Sequence, residues 1–188
     1  MYRAGFKRAA DVLASGLAIL LLAPIFLAAG LAIWIDDGRP VLFRQTRVGC
    51  GGGPFTILKF RSMAKDAGDV PSDQAGFLAV TRVGRFLRRT NIDELPQLFN
   101  VLRGDMSLVG PRPSLPSQVE LVTLRKRNGA IGLRPGLTGL AQIRSFDGMS
   151  AQEKAAFDGQ YAANLSFWLD LKIILGTFAY LAHRPPTY

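Results

Sequence analysis

The chain has 188 residues, 48% of them hydrophobic, and its 23 lysines and arginines exceed its 14 aspartates and glutamates, giving a formal net charge of +9. This length allows one main core, and the charge predicts a polyanionic partner: nucleic acid, acidic lipid or a phosphorylated substrate. With Cys50 and His183 as the single cysteine and histidine, an internal disulfide and a zinc site of histidine and cysteine ligands are excluded. His183 lies in a polar tail, which argues against a Ser-His-Asp triad and leaves catalysis to carboxylates, cations and hydroxyls.

An uncharged apolar segment occupies residues 12–35. As a straight helix it would rise about 36 Å, at ~1.5 Å per residue, which is enough to cross the ~30 Å hydrocarbon layer of a membrane. Basic residues lie on both flanks: Arg3, Lys7 and Arg8 before it, and Arg39, Arg44 and Arg47 after it. Pro24 removes a helical hydrogen bond at the midpoint and predicts a kink. We therefore expect a re-entrant helix with both ends on the cytoplasmic side; a spanning helix and a cleaved signal peptide are the alternatives.

A β-hairpin is predicted next. Two β-rich runs, residues 41–48 and 55–61, flank a glycine-rich turn at 49–53. The polar residues 64–76 contain glycine and proline breakers and predict a loop.

Residues 81–89 predict a basic amphipathic helix. Their four arginines fall on one side of a helical wheel, beside Val83, Phe86 and Leu87. Such a helix is typical of a lipid headgroup layer, and a solvated basic face on a core helix is the alternative.

Asp93 and Glu94 are the first candidate site residues. Thr90 and Asp93 resemble a capping box, Pro96 fits only the first turn of a helix, and Gly104 is a natural stop. The two carboxylates would then lie at a helix N-terminus. From the residues alone, adjacent carboxylates in that position are more often dipole-stabilising caps than catalysts.

Two Pro/Gly-rich stretches follow, at residues 107–113 and 133–140. Each holds an arginine beside a proline, Arg112 and Arg134, in a turn that would present the guanidinium rigidly to phosphate oxygens. The basic run at 125–127 lies between them, and we expect it to be solvated.

Residues 165–175 are apolar but interrupted by two charges, one of them Asp170. This pattern predicts an interfacial or core helix, with Trp168 near the headgroup level, rather than a second span. The expected fold is therefore α+β and mostly helical, with a kinked membrane helix, a small β-hairpin and amphipathic interfacial helices around a compact catalytic core. Residues 1–38 would form the membrane part and residues 39–188 the catalytic domain.

Six motifs occur in a fixed order along nearly the whole chain: KRAAD at 7–11, KFRSM at 59–63, DELPQ at 93–97, SLVGPRP at 107–113, RPGLTG at 134–139 and LDLK at 169–172. Together they resemble the bacterial sugar transferase family, the small monotopic phosphoglycosyl transferases. The chain has Ala23-Pro24 where many members have Ser-Pro. Arg144 stands two positions away from the arginine of the family pattern.

The resemblance implies an enzyme that transfers a phosphosugar from a UDP-sugar to polyprenyl (undecaprenyl) phosphate and thereby starts assembly of a surface glycan. It implies a monotopic protein of the bacterial inner membrane, with its catalytic domain on the cytoplasmic face. It also implies Mg²⁺ and a dyad in which Asp93 is the nucleophile, with Asp93 and Glu94 as metal ligands and ping-pong kinetics. The candidates for a phosphate clamp are Lys59, Arg61, Arg88, Arg112, Arg134 and Arg144.

Two other functions would explain part of the sequence. A non-catalytic module that binds acidic lipid would explain the charge and the apolar segment, but not the Arg-Pro turns or the dyad. Nucleic-acid binding would leave the apolar segment unexplained, and the chain contains no recognisable module for it. The expected partners are membrane lipid, the two substrates and downstream glycosyltransferases, and a homodimer is compatible with the resemblance.

Overall fold

The computed structural model describes residues 2, 5–65, 80–144 and 148–182. Most of the loop predicted at 64–76, and the tail that holds His183, lie outside these residues, as does the basic flank residue Arg3. Within them the fold is mostly helical with two small sheets, which confirms the α+β class.

The helices are α1 (Phe6–Leu21), α2 (Ala23–Asp37), α3 (Arg82–Arg89), α4 (Gln97–Arg103), α5 (Val119–Arg127), α6 (Leu140–Arg144), α7 (Ala151–Ala163) and α8 (Phe167–Ala182). The strands are β1 (Leu42–Val48), β2 (Pro54–Phe60), β3 (Ser107–Val109) and β4 (Gly136–Thr138). Short 3₁₀ turns occupy Cys50–Gly52, Ile92–Glu94 and Ala130–Gly132.

Helices α1 and α2 form a pair bent by 62° at Leu22. Pro24 lies in the first turn of α2, where a proline is tolerated, but its missing N–H leaves no helical donor for the carbonyl of Leu20. The break therefore falls where the sequence predicts a kink. Across the described ranges, no single helix is both long and apolar enough to cross a bilayer, whereas this bent pair meets both criteria together.

The N-terminal end of α1 is tied to α7 and α8 through Asp170, a buried carboxylate. Lys7 forms an ion pair with it at 2.5 Å, and the hydroxyl of Tyr2 donates to the same oxygen. The hydroxyl of Tyr161 donates to the other oxygen. Lys7, which the sequence suggests only as part of a basic membrane flank, thus forms an ion pair within the fold.

The same end of α1 also contacts α4 and β3. Arg8 donates to the carbonyls of Val101 and Leu102, which are among the last carbonyls of α4. Asp11, which is buried, accepts a hydrogen bond from the hydroxyl of Ser107 at 2.7 Å. These contacts fix the start of the apolar pair on the rest of the fold.

The C-terminal end of α2 is held by a separate group of residues. Arg61 donates to the carbonyls of Asp37 and Gly38 and forms an ion pair with the Asp37 carboxylate at 2.9 Å. Ile33 packs in an apolar cluster with Phe60 of β2. Both ends of the bent pair are therefore attached to the same body.

Strands β1 and β2 form the predicted hairpin. They are antiparallel, from the pair Leu42–Phe60 to the pair Val48–Pro54 at the turn. The helix predicted over 81–89 is also present, with Leu87 buried and Arg82, Arg85 and Arg89 exposed. Helix α8 contains most of the predicted segment at 165–175.

The two Pro/Gly-rich stretches are not only turns. Each contains a three-residue strand, and the strands pair in parallel through Ser107–Gly136 and Val109–Thr138. A Cβ atom on Gly136 would lie 2.1 Å from the nitrogen of Gly110, so the two backbones can meet only without one. Strands this short show no periodicity in the sequence, and for this reason the pairing could not be predicted.

The expectation that residues 125–127 are solvated is wrong for Arg125. Its side chain is buried, forms an ion pair with Asp158 on α7 at 2.7 Å, and donates to the carbonyl of Arg112 at 2.9 Å. Arg127 is exposed, as expected. Helix α5 turns one arginine of the run inward against α7 and the others outward.

We predict that Arg125→Ala lowers the free energy of unfolding by about 3–5 kcal/mol, because it leaves the Asp158 carboxylate buried and unpaired. Arg127→Ala, the matched control on the same helix, should change it by less than about 0.5 kcal/mol. Urea unfolding in detergent measures both values. Equal effects of the two substitutions would contradict a structural role for the Arg125–Asp158 pair.

Candidate active site

The turn between α3 and α4 carries Asp93 and Glu94. Thr90 ends α3 and donates its hydroxyl to the carbonyl of Phe86, so the predicted capping box is wrong. Asn91 then adopts the left-handed conformation at φ 54°, which asparagine tolerates better than most residues, and reverses the chain. The two carboxylates follow in the 3₁₀ turn Ile92–Glu94, just before α4 rather than in its first turn.

Glu94 is held by two cations. Lys59 Nζ lies 2.8 Å from Glu94 Oε1, and Arg112 Nη2 lies 3.1 Å from the same oxygen. Burial would raise the pKa of Glu94, but the charges and hydrogen bonds of Lys59 and Arg112 outweigh it and hold that pKa well below its usual range. Glu94 is therefore ionised at neutral pH.

Asp93 lies in a different environment. Its residue is 8% exposed, and no residue in the described parts of the chain donates a hydrogen bond to its carboxylate. Burial and the neighbouring charge of Glu94 raise its pKa to about 6, against the opposing charges of Lys59, Arg88 and Arg112. The two adjacent carboxyl groups thus have pKa values displaced in opposite directions, a common property of catalytic pairs.

Arg88 is the third cation near the dyad. Its Nε donates to the hydroxyl oxygen of Ser62 at 2.8 Å, and its charge acts on Asp93. Among the described residues, Ser62 is the hydrogen-bond partner of its guanidinium, through Nε. Nη1 and Nη2 donate to no described residue and could both donate to an anion.

Two of the predicted clamp residues bind elsewhere, and a third is exposed. Arg61 binds the end of α2, as described above. Arg134 donates to the carbonyl of Gly104, at the end of α4 opposite to the dyad. Arg144 is the exposed last residue of α6. Their roles in phosphate binding stay predictions, whereas Lys59, Arg88 and Arg112 are the ones whose charges act on Asp93.

Two supporting residues were not predicted. Asn100 on α4 is fully buried; its amide oxygen accepts from the N–H of Leu58, and its amide nitrogen donates to the carbonyl of Thr56. These bonds fix α4 on β2 and so place Glu94 beside Lys59. Arg125 holds the backbone of Arg112 from the other side.

The carboxylates fit a divalent cation such as Mg²⁺. Both contacts to Glu94 fall on Oε1, so its Oε2 and both oxygens of Asp93 accept no hydrogen bond from described residues. No group of three or more candidate ligands occurs in the described part of the chain. Mg²⁺ usually binds one or two protein carboxylates together with substrate phosphates and water. Asp93 and Glu94, with Lys59, Arg88 and Arg112 beside them, therefore have the ligand number that such a site needs.

Comparison with known proteins gives a match over almost the entire chain. Residues 2–184 match the family model described as bacterial sugar transferase. A UDP-glucose:undecaprenyl-phosphate glucose-1-phosphate transferase of Caulobacter vibrioides is 49% identical over 180 residues, covering 91% of this chain and 67% of that protein.

Two other relatives differ in length and in name. A UDP-N-acetylgalactosamine-undecaprenyl-phosphate N-acetylgalactosaminephosphotransferase of Aeromonas hydrophila is 41% identical, over 91% of this chain and 42% of its own length. Exopolysaccharide production protein PSS of Rhizobium leguminosarum is 43% identical, over 91% of this chain and 92% of its own length. The chain thus spans less than half of the Aeromonas relative and nearly all of the Rhizobium one.

The raised pKa of Asp93 predicts a pH-dependent effect on stability. Because the folded pKa lies above the ordinary value of 3.8, Asp93 stabilises the fold fully below about pH 4, and this contribution is lost as the pH rises through about 6. Asp93→Asn removes the buried charge and should raise the free energy of unfolding at pH 8 by about 1–3 kcal/mol relative to its effect at pH 4.

Urea unfolding without divalent cations at the two pH values measures this difference. Glu120→Gln, at an exposed carboxylate, is the control and should show no such dependence. An Asp93→Asn variant that is equally destabilised at both pH values would contradict the raised pKa.

Proposed function

This chain belongs to the bacterial sugar transferase family, and on that premise we propose that it transfers a phosphosugar from a UDP-sugar to polyprenyl phosphate and releases UMP. The observation that carries the proposal is the Asp93–Glu94 turn, with one buried carboxylate that accepts no hydrogen bond from the described residues and three cations beside it. A nucleophile needs free oxygens, and a diphosphate needs positive charge around it.

The proposed reaction has two displacements at the same phosphorus. An oxygen of Asp93 attacks the β-phosphorus of the UDP-sugar, and the bond from that phosphorus to the bridging oxygen breaks, with UMP leaving with the electron pair. A phosphate oxygen of polyprenyl phosphate then attacks the aspartyl phosphosugar. The bond to Asp93 breaks, the carboxylate is restored, and polyprenyl diphosphate sugar is formed. Splitting one difficult step in this way gives ping-pong kinetics.

The cations have separate tasks in this proposal. Lys59 and Arg112 carry two positive charges against the one negative charge of Glu94, so that adding the charge of Asp93 leaves no net negative charge facing the substrate. Arg88 presents Nη1 and Nη2 to phosphate oxygens. A Mg²⁺ ion held by Asp93 and Glu94 would supply Lewis-acid neutralisation of the diphosphate.

We further propose that the bent pair α1–α2 is re-entrant and that the protein is monotopic in the bacterial inner membrane. Both ends of the pair are attached to the same body, through Lys7 and Arg8 at the start and Asp37 at the end. The faces that point away from that body are strongly exposed and apolar: Leu13, Leu17, Leu20, Leu21, Leu27, Leu31 and Ile35. A lipid environment would cover these side chains, and a catalytic domain on the cytoplasmic face would meet both UDP-sugar and lipid phosphate.

The product in this proposal starts a surface glycan. The name of the Rhizobium relative refers to exopolysaccharide production, which favours an exopolysaccharide pathway. The names of the relatives include glucose and N-acetylgalactosamine, so the sugar is best identified by a screen of UDP-sugars for UMP release with undecaprenyl phosphate and Mg²⁺.

We predict that Asp93→Asn abolishes UMP release, because an amide keeps the shape of the side chain but is a far poorer nucleophile. Glu94→Gln should also be severely impaired, since it removes negative charge from the proposed metal site.

With UDP-sugar and no lipid acceptor, mass spectrometry should find a phosphosugar on the peptide that contains Asp93. An unmodified peptide from active protein would favour direct transfer, and retention on membranes without any UMP release would favour the non-catalytic lipid-binding module.

Arg112→Ala should lower kcat/KM for the UDP-sugar at least tenfold, since a charged hydrogen bond is worth roughly 1.5–3 kcal/mol. Arg127→Ala removes the same charge from an exposed position and should change kcat/KM less than twofold. Steady-state UMP release measures both. Equal losses would mean that overall positive charge, rather than a placed guanidinium, supports the reaction.

Cysteine labelling tests the topology. Gly5 is exposed with open space around its Cα, so Gly5→Cys in a Cys50→Ser background reports on the start of the pair. The exposed Cys50 of the unaltered chain reports on the other end. We expect a membrane-impermeant thiol reagent to label neither in intact cells and both after the inner membrane is opened. Labelling of one cysteine alone in intact cells would establish a spanning helix.

A further inference from the structure

The contact between Arg88 and Ser62 links the clamp to the end of β2. Ser62 is 8% exposed, and its hydroxyl oxygen accepts from Arg88 Nε at 2.8 Å. Lys59 and Arg112, the other cations that act on Asp93, both bind Glu94. Arg88 is therefore the member of this set whose position depends on a neutral side chain.

The backbone around Ser62 explains why the hydroxyl lies under Arg88. The Ser62 carbonyl accepts from the N–H of Thr81, the residue that caps the N-terminus of α3. Gly84, in the first turn of α3, lies against the same peptide, and a Cβ atom there would be 2.0 Å from the Ser62 carbonyl oxygen. Arg88 is four residues after Gly84 and so projects from the same helical face.

We propose, on the basis of the function proposed above, that Ser62 is a positioning residue: it fixes Arg88 through Nε so that Nη1 and Nη2 face the diphosphate beside Asp93. A guanidinium has a fixed planar fork, so one hydrogen bond at Nε sets the direction of its two terminal nitrogens. Without that bond the long side chain regains rotational freedom that substrate binding must then remove.

A double-mutant cycle on UMP release tests the inference. Ser62→Ala removes one oxygen and should lower kcat/KM for the UDP-sugar roughly tenfold, the effect of a charged hydrogen bond. In an Arg88→Ala background the same change should cost less than twofold, because Ser62 acts through Arg88. Ser15→Ala is the control, since Ser15 on α1 is also buried but its hydroxyl has no hydrogen-bond partner among the described residues. Independent, additive losses from Ser62→Ala and Arg88→Ala would overturn the inference.

A second readout does not depend on turnover. In protein labelled with ¹⁵N-arginine, the Nε–H signal that disappears in Arg88→Lys should exchange slowly with solvent, and Ser62→Ala should accelerate that exchange at least tenfold. Unchanged exchange in Ser62→Ala would overturn the inference even in a fully active enzyme. Wild-type protein that releases no UMP from any UDP-sugar would instead contradict the proposed function and, with it, the role of Arg88 in substrate binding.

Discussion

The sharing of Glu94 Oε1 between Lys59 and Arg112 is the interaction on which the site depends. It joins three segments that are distant in sequence: the end of β2, the turn before α4 and the loop after β3. Two adjacent, poorly solvated carboxylates repel each other, and a cation pair on one of them removes most of that cost. Burial and the charge of Glu94 then disfavour the ionised form of Asp93, whose pKa is raised to about 6.

Two buried polar side chains hold the elements that carry Glu94 and Arg112. Asn100 fixes α4 on β2 by bonding to backbone groups of the strand, and Arg125 fixes the loop of Arg112 through a backbone carbonyl. Neither side chain contacts the carboxylates, yet each holds an element that carries one of their partners. Buried polar side chains used in this way give a defined geometry, provided that every partner is satisfied.

The apolar pair α1–α2 is attached to this core by polar contacts at both ends, in contrast to its exposed leucines. At the start of α1, Lys7 pairs with Asp170 and Asp11 accepts a hydrogen bond from Ser107, and at the end of α2, Asp37 pairs with Arg61. Because these contacts lie on the same body as the dyad, the position of the bent pair is fixed relative to Asp93. In the proposed reaction this sets the depth at which the nucleophile meets a lipid-borne phosphate.

The sequence by itself determined the elements whose signals are local: the hairpin around its glycine turn, the amphipathic α3, the break near Pro24 and the dyad with its family resemblance. Tertiary structure alone decided which basic residues surround the dyad, since Arg125 and Arg127 are indistinguishable in sequence but one is buried and the other exposed. Tertiary packing likewise places Lys59, Arg88 and Arg112 where their charges act on Asp93, and it places Arg61 at the end of α2. The physical reason is that a long cationic side chain takes its role from the carboxylates and carbonyls that packing brings within reach, and residues far apart in the chain supply those groups.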